Sequence, residues 1–353
     1  MRYTTFGRNT GLRVSELALG TGSFGTGWGH GAEPAEARRL YDRYLGAGGN
    51  FIDTADTYQN GDSETLLGEF IASERDRLVV ASKYTLGVND KVGIAVTGNS
   101  RKAMRAAVEG SLRRLRTDYL DLYWVHMADG LTPVEEIVRG LDDLVRAGKI
   151  LYAGLSDFPA WRAARAATLA ELRGWAPIAG LQFEYSLVER TPDRELLPMA
   201  EGLGLAAALW SPLGGGFLTG KYRRGEEGRL QHLGRLVHGD TTEQKTRVLD
   251  TVLAVAGELD AEPGQVAIAW LRHRAARSST TLIPILGANN LAQLEGNLGA
   301  LQVELSDEQA QRLERVSAVA LGFPHEALSA EGYGLRIAAG RPELLAARGA
   351  PAA

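Results

Sequence analysis

Short apolar runs alternate along the chain with longer stretches in which apolar residues recur every three or four positions. The runs, rich in Val, Ile, Leu and Ala and bounded by Gly, Pro, Asn or Asp, predict strands; the longer stretches predict helices. Arg2–Phe6 and Leu12–Val14 flank GRNTG and read as a hairpin, and Glu16–Leu19 as a first core strand. Strands are then expected at Asn50–Asp53, Leu78–Ser82, Tyr119–His126, Leu151–Leu155, Ile178–Gln182, Leu205–Trp210 and Leu282–Pro284. The helices predicted between them are Pro34–Ala47, Ser63–Ala72, a helix capped by Ser100 and running to Arg116, Pro133–Ala147, Pro159–Leu172, Arg194–Gly202, Glu243–Leu259 and Gly264–Ala276, with Leu291–Leu301 after the last strand. Pro34 at a first turn, Ser100 as a cap and Gly48 and Gly148 as stops supply the boundaries.

Eight strand–helix repeats predict an α/β fold with a parallel sheet. A doubly wound open sheet alternates in the same way, but no G-x-G-x-x-G follows the first strand, and eight strands close a barrel. The reading is therefore a (β/α)8 TIM barrel with an N-terminal β-hairpin. In such a barrel reactive groups belong at the C-terminal strand ends. The groups that fall there are Asp53, Lys83, His126, Ser156-Asp157, Gln182, Trp210-Ser211 and Ile285–Gly287. A length of 353 residues is a soft prior for two domains, yet also suits one barrel with insertions. A single domain over residues 1–353 is expected, with roughly 321–353 as a cap or a partly disordered tail. Thr21–Ala32, Ser211–Thr241 and residues 306–353 stand outside the repeat, and the second is long enough to be a covering loop.

Composition narrows the partners. The chain is 44% hydrophobic and 23% charged, as in ordinary globular proteins. A net charge of −4 with a pI near 6.0 gives no reason to expect nucleic acid or an anionic membrane. The absence of cysteine excludes disulfides, thiolate nucleophiles and Cys-ligated metals. No secretory h-region opens the chain and no apolar run reaches the length of a membrane span, so a cytoplasmic location is the default reading.

Asp53, Tyr58, Lys83 and His126 carry the candidate chemistry. Three consecutive strands end in a carboxylate with a nearby phenol, an ammonium and an imidazole. A phenol near its reference pKa of about 10 is a poor acid at neutral pH. A buried Lys cation favours the phenolate, a carboxylate keeps that cation charged, and an imidazole orients an oxygen or shares a proton. Each residue alone has a blander reading. Asp53 alone reads as a cap, Lys83 as a solvated strand end and His126 as a core histidine; the ordered set reads as a proton-transfer site. Phe24, Trp28, Tyr84 and Met127 flank the strand ends and are the candidate substrate contacts. The histidines show no ligand spacing such as H-E-x-x-H, so no metal is expected.

These motifs together resemble the aldo-keto reductases over nearly the whole chain to about Leu321. NFIDTADTY with the following SE and LLGEF is similar to the family's signature around its Asp and Tyr. LVVASK and DYLDLYWVH resemble its Lys and His strands, and GKILYAGLSDF, LQFEYS, ALWSPLGGGFLTGKY and LIPILGANNLAQLEGNLGAL its later segments. Trp210, the GGGFLTGKY loop and the LGFPH tail are closest to its bacterial, channel-β-subunit-like and aryl-alcohol-dehydrogenase-like branches. The resemblance implies a barrel that binds NADPH, with NADH as the alternative, under long cofactor-covering loops. It implies reversible hydride transfer to a small-molecule aldehyde or ketone. Carried over by position, Tyr58 donates the proton, Lys83 and Asp53 tune it, and His126 orients the carbonyl. Ser156, Asp157 and Gln182 fall at the nicotinamide carboxamide and Trp210 on its ring. Ser211, Leu213, Gly215 and Lys221 fall along the pyrophosphate, and Gly287, Asn289, Gln293 and Asn297 around the adenosine. The sequence departs from the pattern at two places. Asp157 stands where the family usually has Asn, and Asn289-Asn290 where many relatives carry a cation. The alternative function is a cofactor-sensing binding subunit with little turnover. A homo-oligomer is left open, and the substrate is not chosen by the sequence.

Overall fold

The computed structural model of the protein describes residues 1–226, 238–239, 241–329, 333 and 336–344. Its sheet is a closed barrel of eight parallel strands. These are β3 (Ala18–Gly20), β4 (Phe51–Asp53), β5 (Val79–Tyr84), β6 (Leu120–Val125), β7 (Ile150–Ser156), β8 (Ile178–Glu184), β9 (Ala206–Trp210) and β10 (Leu282–Leu286), in that order, with β10 returning to β3. Two further strands, β1 (Tyr3–Thr5) and β2 (Arg13–Ser15), pair antiparallel as the expected hairpin. Most element ends fall within two residues of the sequence reading, and the helix Glu243–Leu259 has the predicted bounds. Ser100 caps the helix Arg101–Leu115 by accepting from the Ala103 N–H. The predicted strand ending at Pro284 continues to Leu286, because Ile285 and Leu286 pair with Ala18 and Leu19 and so close the barrel.

Two apolar layers hold this frame. The larger lies between strands and helices. The smaller fills the barrel: Phe51, Val79, Ala81, Leu122, Trp124, Ala179, Ala208, Ile283 and Ile285, with Phe6 and Val14 of the hairpin. Phe6 packs edge-on against Phe51 at 5.7 Å and Trp124 at 6.1 Å, so the hairpin plugs one end. Glycines make room for these rings. A Cβ on Gly154 would lie 2.3 Å from Trp124, and one on Gly180 2.7 Å from Phe6. With that end packed by apolar side chains, polar chemistry is confined to the other, where the strands finish.

The part of the expected 211–241 loop spanning residues 227–237 and 240 lies outside the described residues. So does His232, and so do residues 330–332, 334–335 and 345–353 of the tail. The described tail touches the barrel: Arg194 donates to the Ala320 carbonyl at 2.9 Å, and His325 pairs with Glu195 at 2.8 Å. No helix among the described residues is long and apolar enough to cross a membrane.

Candidate active site

Strand parity decides which side chains meet. Successive residues of a strand point to opposite faces. In β5, Val79 and Ala81 face the barrel interior and Val80 and Tyr84 face the helices. Lys83 therefore points inward, at the open end. The same count turns Asp53, His126, Ser156, Gln182 and Trp210 inward around it.

Lys83 has no exposed surface, and a bare ammonium there would be very costly. All three of its N–H bonds find acceptors: Asp53 Oδ2 at 2.5 Å, the Thr54 carbonyl at 2.8 Å and Tyr58 Oη at 3.0 Å. An ammonium donates and never accepts, so Tyr58 Oη is the acceptor in the last bond and its own proton points elsewhere. The second oxygen of Asp53 accepts from Gln182 Nε2 at 2.9 Å. The His126 ring stands edge-on to Tyr58, with centroids 5.9 Å apart. Behind this group the buried Glu64 accepts from Ser82 and pairs with Arg114 at 2.7 Å, joining the helix Asp62–Ile71 to β5.

The electrostatics correct one expectation. Burial pushes the Tyr58 phenol up, Lys83 pulls it down and Asp53 pushes it up again, and the net shift is upward. The cation does not win, because burial is the largest influence on the phenol and the carboxylate that fixes Lys83 adds to it. Burial works against the Lys83 ammonium, but Asp53 and Tyr58 more than offset it, so its pKa is raised. Burial, then Lys83, lowers His126 to about 3, so the imidazole is neutral at any physiological pH. Its Nδ1 is buried without a hydrogen-bond partner.

The candidate substrate contacts divide. Trp28 is 41% exposed and stands edge-on to Tyr58 at 6.0 Å. Met127 is half-buried, and its carbonyl accepts from Asn99. Phe24 and Tyr84 are fully buried and present no surface at the mouth. Phe24 packs on Phe70, and Tyr84, turned to the helix side by its parity with Lys83, stacks on Tyr123 at 5.4 Å. Sequence reading missed Gln59 and Asn60. Both take left-handed backbone, φ 52° and 58°. Gln59 accepts from the Trp28 N–H and donates to the Gly22 carbonyl, and Asn60 donates to the Gly27 carbonyl. They tie the Gly-rich loop to the turn that begins at Tyr58. The dipeptide Asn60-Gly61, a turn signal, was the available clue.

The expected cofactor positions line the same end. Ser156 and Gln182 are register partners on β7 and β8. Asp157 follows with φ 48°, and its Oδ1 accepts from Trp210 Nε1 at 3.2 Å. Ser211, φ 57°, accepts from the Gly215 N–H at 3.0 Å. The Leu213 carbonyl accepts from Gly216, and the Gly215 carbonyl from the Tyr222 hydroxyl. Gly214, Gly215 and Gly216 all have positive φ, and a Cβ on Gly216 would lie 2.8 Å from Lys221 Cε. Positive φ at three successive positions favours glycine here, and the Lys221 stem lies against the bare backbone of Gly216. Asn290 caps the helix Leu291–Gly299, Gln293 accepts from the Asn289 N–H, and the Asn297 amide donates to the Gly287 carbonyl. Arg223 pairs with Asp250 and Arg224 with Glu226.

The donor set suits a nicotinamide carboxamide. Ser156 offers a hydroxyl, while the Gln182 amide oxygen and Asp157 are acceptors for its N–H bonds. A separate group, Glu184, Glu189 and His238, brings three possible metal-ligand atoms within 4.8 Å of one another, a grouping that sequence spacing did not suggest.

The family model described as "Aldo/keto reductase family" matches residues 16–318. A norsolorinic acid reductase of Emericella nidulans is 40% identical over 324 residues, covering 89% of this chain and 81% of its own. An aryl-alcohol dehydrogenase [NADP(+)] of Phanerodontia chrysosporium is 36% identical over 346 residues, covering 92% and 88%. A putative aryl-alcohol dehydrogenase of Saccharomyces cerevisiae is 33% identical over 336 residues, covering 92% and 88%. These relatives are fungal. They support the aryl-alcohol-dehydrogenase-like side of the expected branch and do not bear on its bacterial, channel-subunit-like side.

Proposed function

The chain belongs to the aldo/keto reductase family, and from that premise we propose that it reduces an aryl or polycyclic aldehyde or ketone to the alcohol with NADPH, Tyr58 being the general acid. The observation that carries this reading is the Lys83 ammonium with all three donors engaged, one of them on Tyr58 Oη. The reduced nicotinamide, when bound against Ser156, Gln182 and Trp210, supplies a hydride. The chain's residues supply the rest.

Tyr58 keeps its proton in the resting site, since its pKa is raised, and gives it up as negative charge develops on the substrate oxygen. Lys83 then faces a phenolate across an existing hydrogen bond and stabilises it, a contribution larger in the transition state than in the ground state. Asp53 holds Lys83 in place, and Gln182 holds Asp53. His126 acts as a neutral donor. Its buried Nδ1 has no acceptor to receive a proton, and an orphaned N–H is worse than an orphaned acceptor, which assigns the proton to Nε2. Trp28 gives the mouth one aromatic wall. This wall, with the aryl-alcohol and norsolorinic acid names of the relatives, supports a flat aromatic substrate.

The test is the oxidation of NADPH and of NADH in the presence of a panel of benzaldehydes, quinone-like ketones, keto-sugars and polycyclic ketones. Turnover with aryl or polycyclic members is expected. Tight cofactor binding without turnover, even in single-turnover mixing, would replace this reading with a cofactor sensor.

A further inference from the structure

Asp157 is an unusual group to find beside a nicotinamide site. It replaces the neutral amide of the family pattern with a carboxylate, on a backbone whose φ of 48° suits Asn as well as Asp. Its Oδ1 is fixed by the Trp210 indole N–H at 3.2 Å, so the charge is held at the edge of the ring assigned to the nicotinamide face. An Asn carbonyl oxygen would accept the same bond. What the carboxylate adds is charge, and a second acceptor oxygen where Asn would carry a donor NH2; the second change acts on both forms of the cofactor alike.

That charge is surplus. Lys83, the cation that acts on Asp157, is already matched by Asp53 at 2.5 Å. Glu184, the other group acting on Asp157 through space, is a second carboxylate, bonded to His238. Protein packed around Asp157 raises its carboxyl to about 6, against the pull of Trp210 and Lys83, yet the residue keeps solvent access and is ionised at pH 8.

The two cofactor forms differ in this respect. The oxidised nicotinamide ring carries a positive charge and the reduced ring none. We propose that Asp157 makes this site discriminate between the redox forms of its cofactor, tightening the oxidised form selectively through its charge while its bond to Trp210 serves both forms. The inference rests on the cofactor reading above. A unit charge a few ångströms away, in a solvent-reached setting, changes affinity by about threefold to thirtyfold. Stabilising the bound oxidised form makes the bound couple more reducing, by about 30 mV for each tenfold. The consequence for the reaction is a stronger drive toward the alcohol on the enzyme, with slower release of oxidised cofactor.

Wild type and Asp157→Asn should be titrated at pH 8 with NADP+ and NADPH separately, by calorimetry and by cofactor or tryptophan fluorescence, with a thermal melt as a folding check. The expected result is that the Kd for NADP+ weakens about threefold to thirtyfold more than the Kd for NADPH in the variant. Parallel weakening of both forms would reduce Asp157 to a positioning residue for Trp210 and overturn the proposal; so would unchanged values for both. If wild type itself bound neither form, the cofactor reading would fall and this inference with it, a result told apart from the others by the silence of the unmodified protein.

Discussion

Replacing Lys83 by Met tests the buried core of the site. Met keeps most of the stem and removes the charge. Asp53, 2% exposed, is then left with the Gln182 amide on one oxygen and nothing on the other. Leaving one partner of a buried pair uncompensated costs roughly 3–5 kcal/mol. The carboxyl has an escape, which is to take up a proton. From an ordinary pKa near 3.9, that costs about 1.4 kcal/mol per pH unit, hence about 4 kcal/mol at pH 7 and about 1.5 kcal/mol at pH 5. The penalty is therefore capped by pH. In the variant, folded Asp53 binds its proton more tightly than unfolded Asp53. Stability is retained at low pH and lost as pH rises above the unfolded value. Urea unfolding followed by tryptophan fluorescence at pH 5, 6, 7 and 8 measures this. Expected is a loss of about 3–4 kcal/mol at pH 7, shrinking by half or more at pH 5. Adding Asp53→Asn should recover most of the loss at pH 7. A penalty flat from pH 5 to 8, or a double variant no more stable than the single one, would refute the claim that Lys83 compensates a buried Asp53 charge.

Other outcomes follow from neighbouring groups. Tyr58→Phe should lower carbonyl reduction by about 10²- to 10⁴-fold while leaving cofactor Kd within about threefold, since only the proton is lost; retention of most of the rate would remove Tyr58 as the acid. Asp56 is buried with Oδ1 unpartnered, and burial, then Glu64, raises its carboxyl to about 7 against Arg114. A carboxyl raised in the folded state costs stability as pH climbs from its unfolded value to its folded one, so Asp56→Asn should stabilise by roughly 2–4 kcal/mol at pH 8 and by at most about 1.5 kcal/mol at pH 5, where unfolded Asp56 is ionised but folded Asp56 holds a proton; thermal melts at both values decide it, and equal effects at both would sink the argument. NADPH should be preferred over NADH by less than about a hundredfold, the size of one lost charge-assisted contact. Arg223 and Arg224 are paired with Asp250 and Glu226, and Asn289 is exposed and uncharged. Asn289→Arg should widen the gap in fluorescence titrations, and tighter NADH than NADPH binding in the wild type would overturn the preference.

The sequence by itself determined the barrel and which residues gather where its strands finish. Both follow from local rules: apolar runs of strand length, helix caps and glycine stops repeat at a spacing that only strand–helix units produce. Because every strand ends at the same face, residues that close a strand must gather there, which is why Asp53, Lys83, His126, Ser156, Gln182 and Trp210 were legible. The burial of Tyr84 was legible too, since it follows an inward Lys83 and a strand alternates; that count was there to be made. What only the tertiary structure decided is pairing and dielectric. Nothing in the chain says that Gln182 turns its amide to Asp53, 129 positions away, or that Trp210 ties to Asp157. Nor does it say that Gln59 and Asn60 take left-handed backbone to hold the loop of Trp28. The direction of the Tyr58 shift was beyond sequence for the same reason. It depends on how much water is excluded and on how fully Asp53 cancels Lys83, quantities set by distances between segments remote in sequence, which local pattern does not encode.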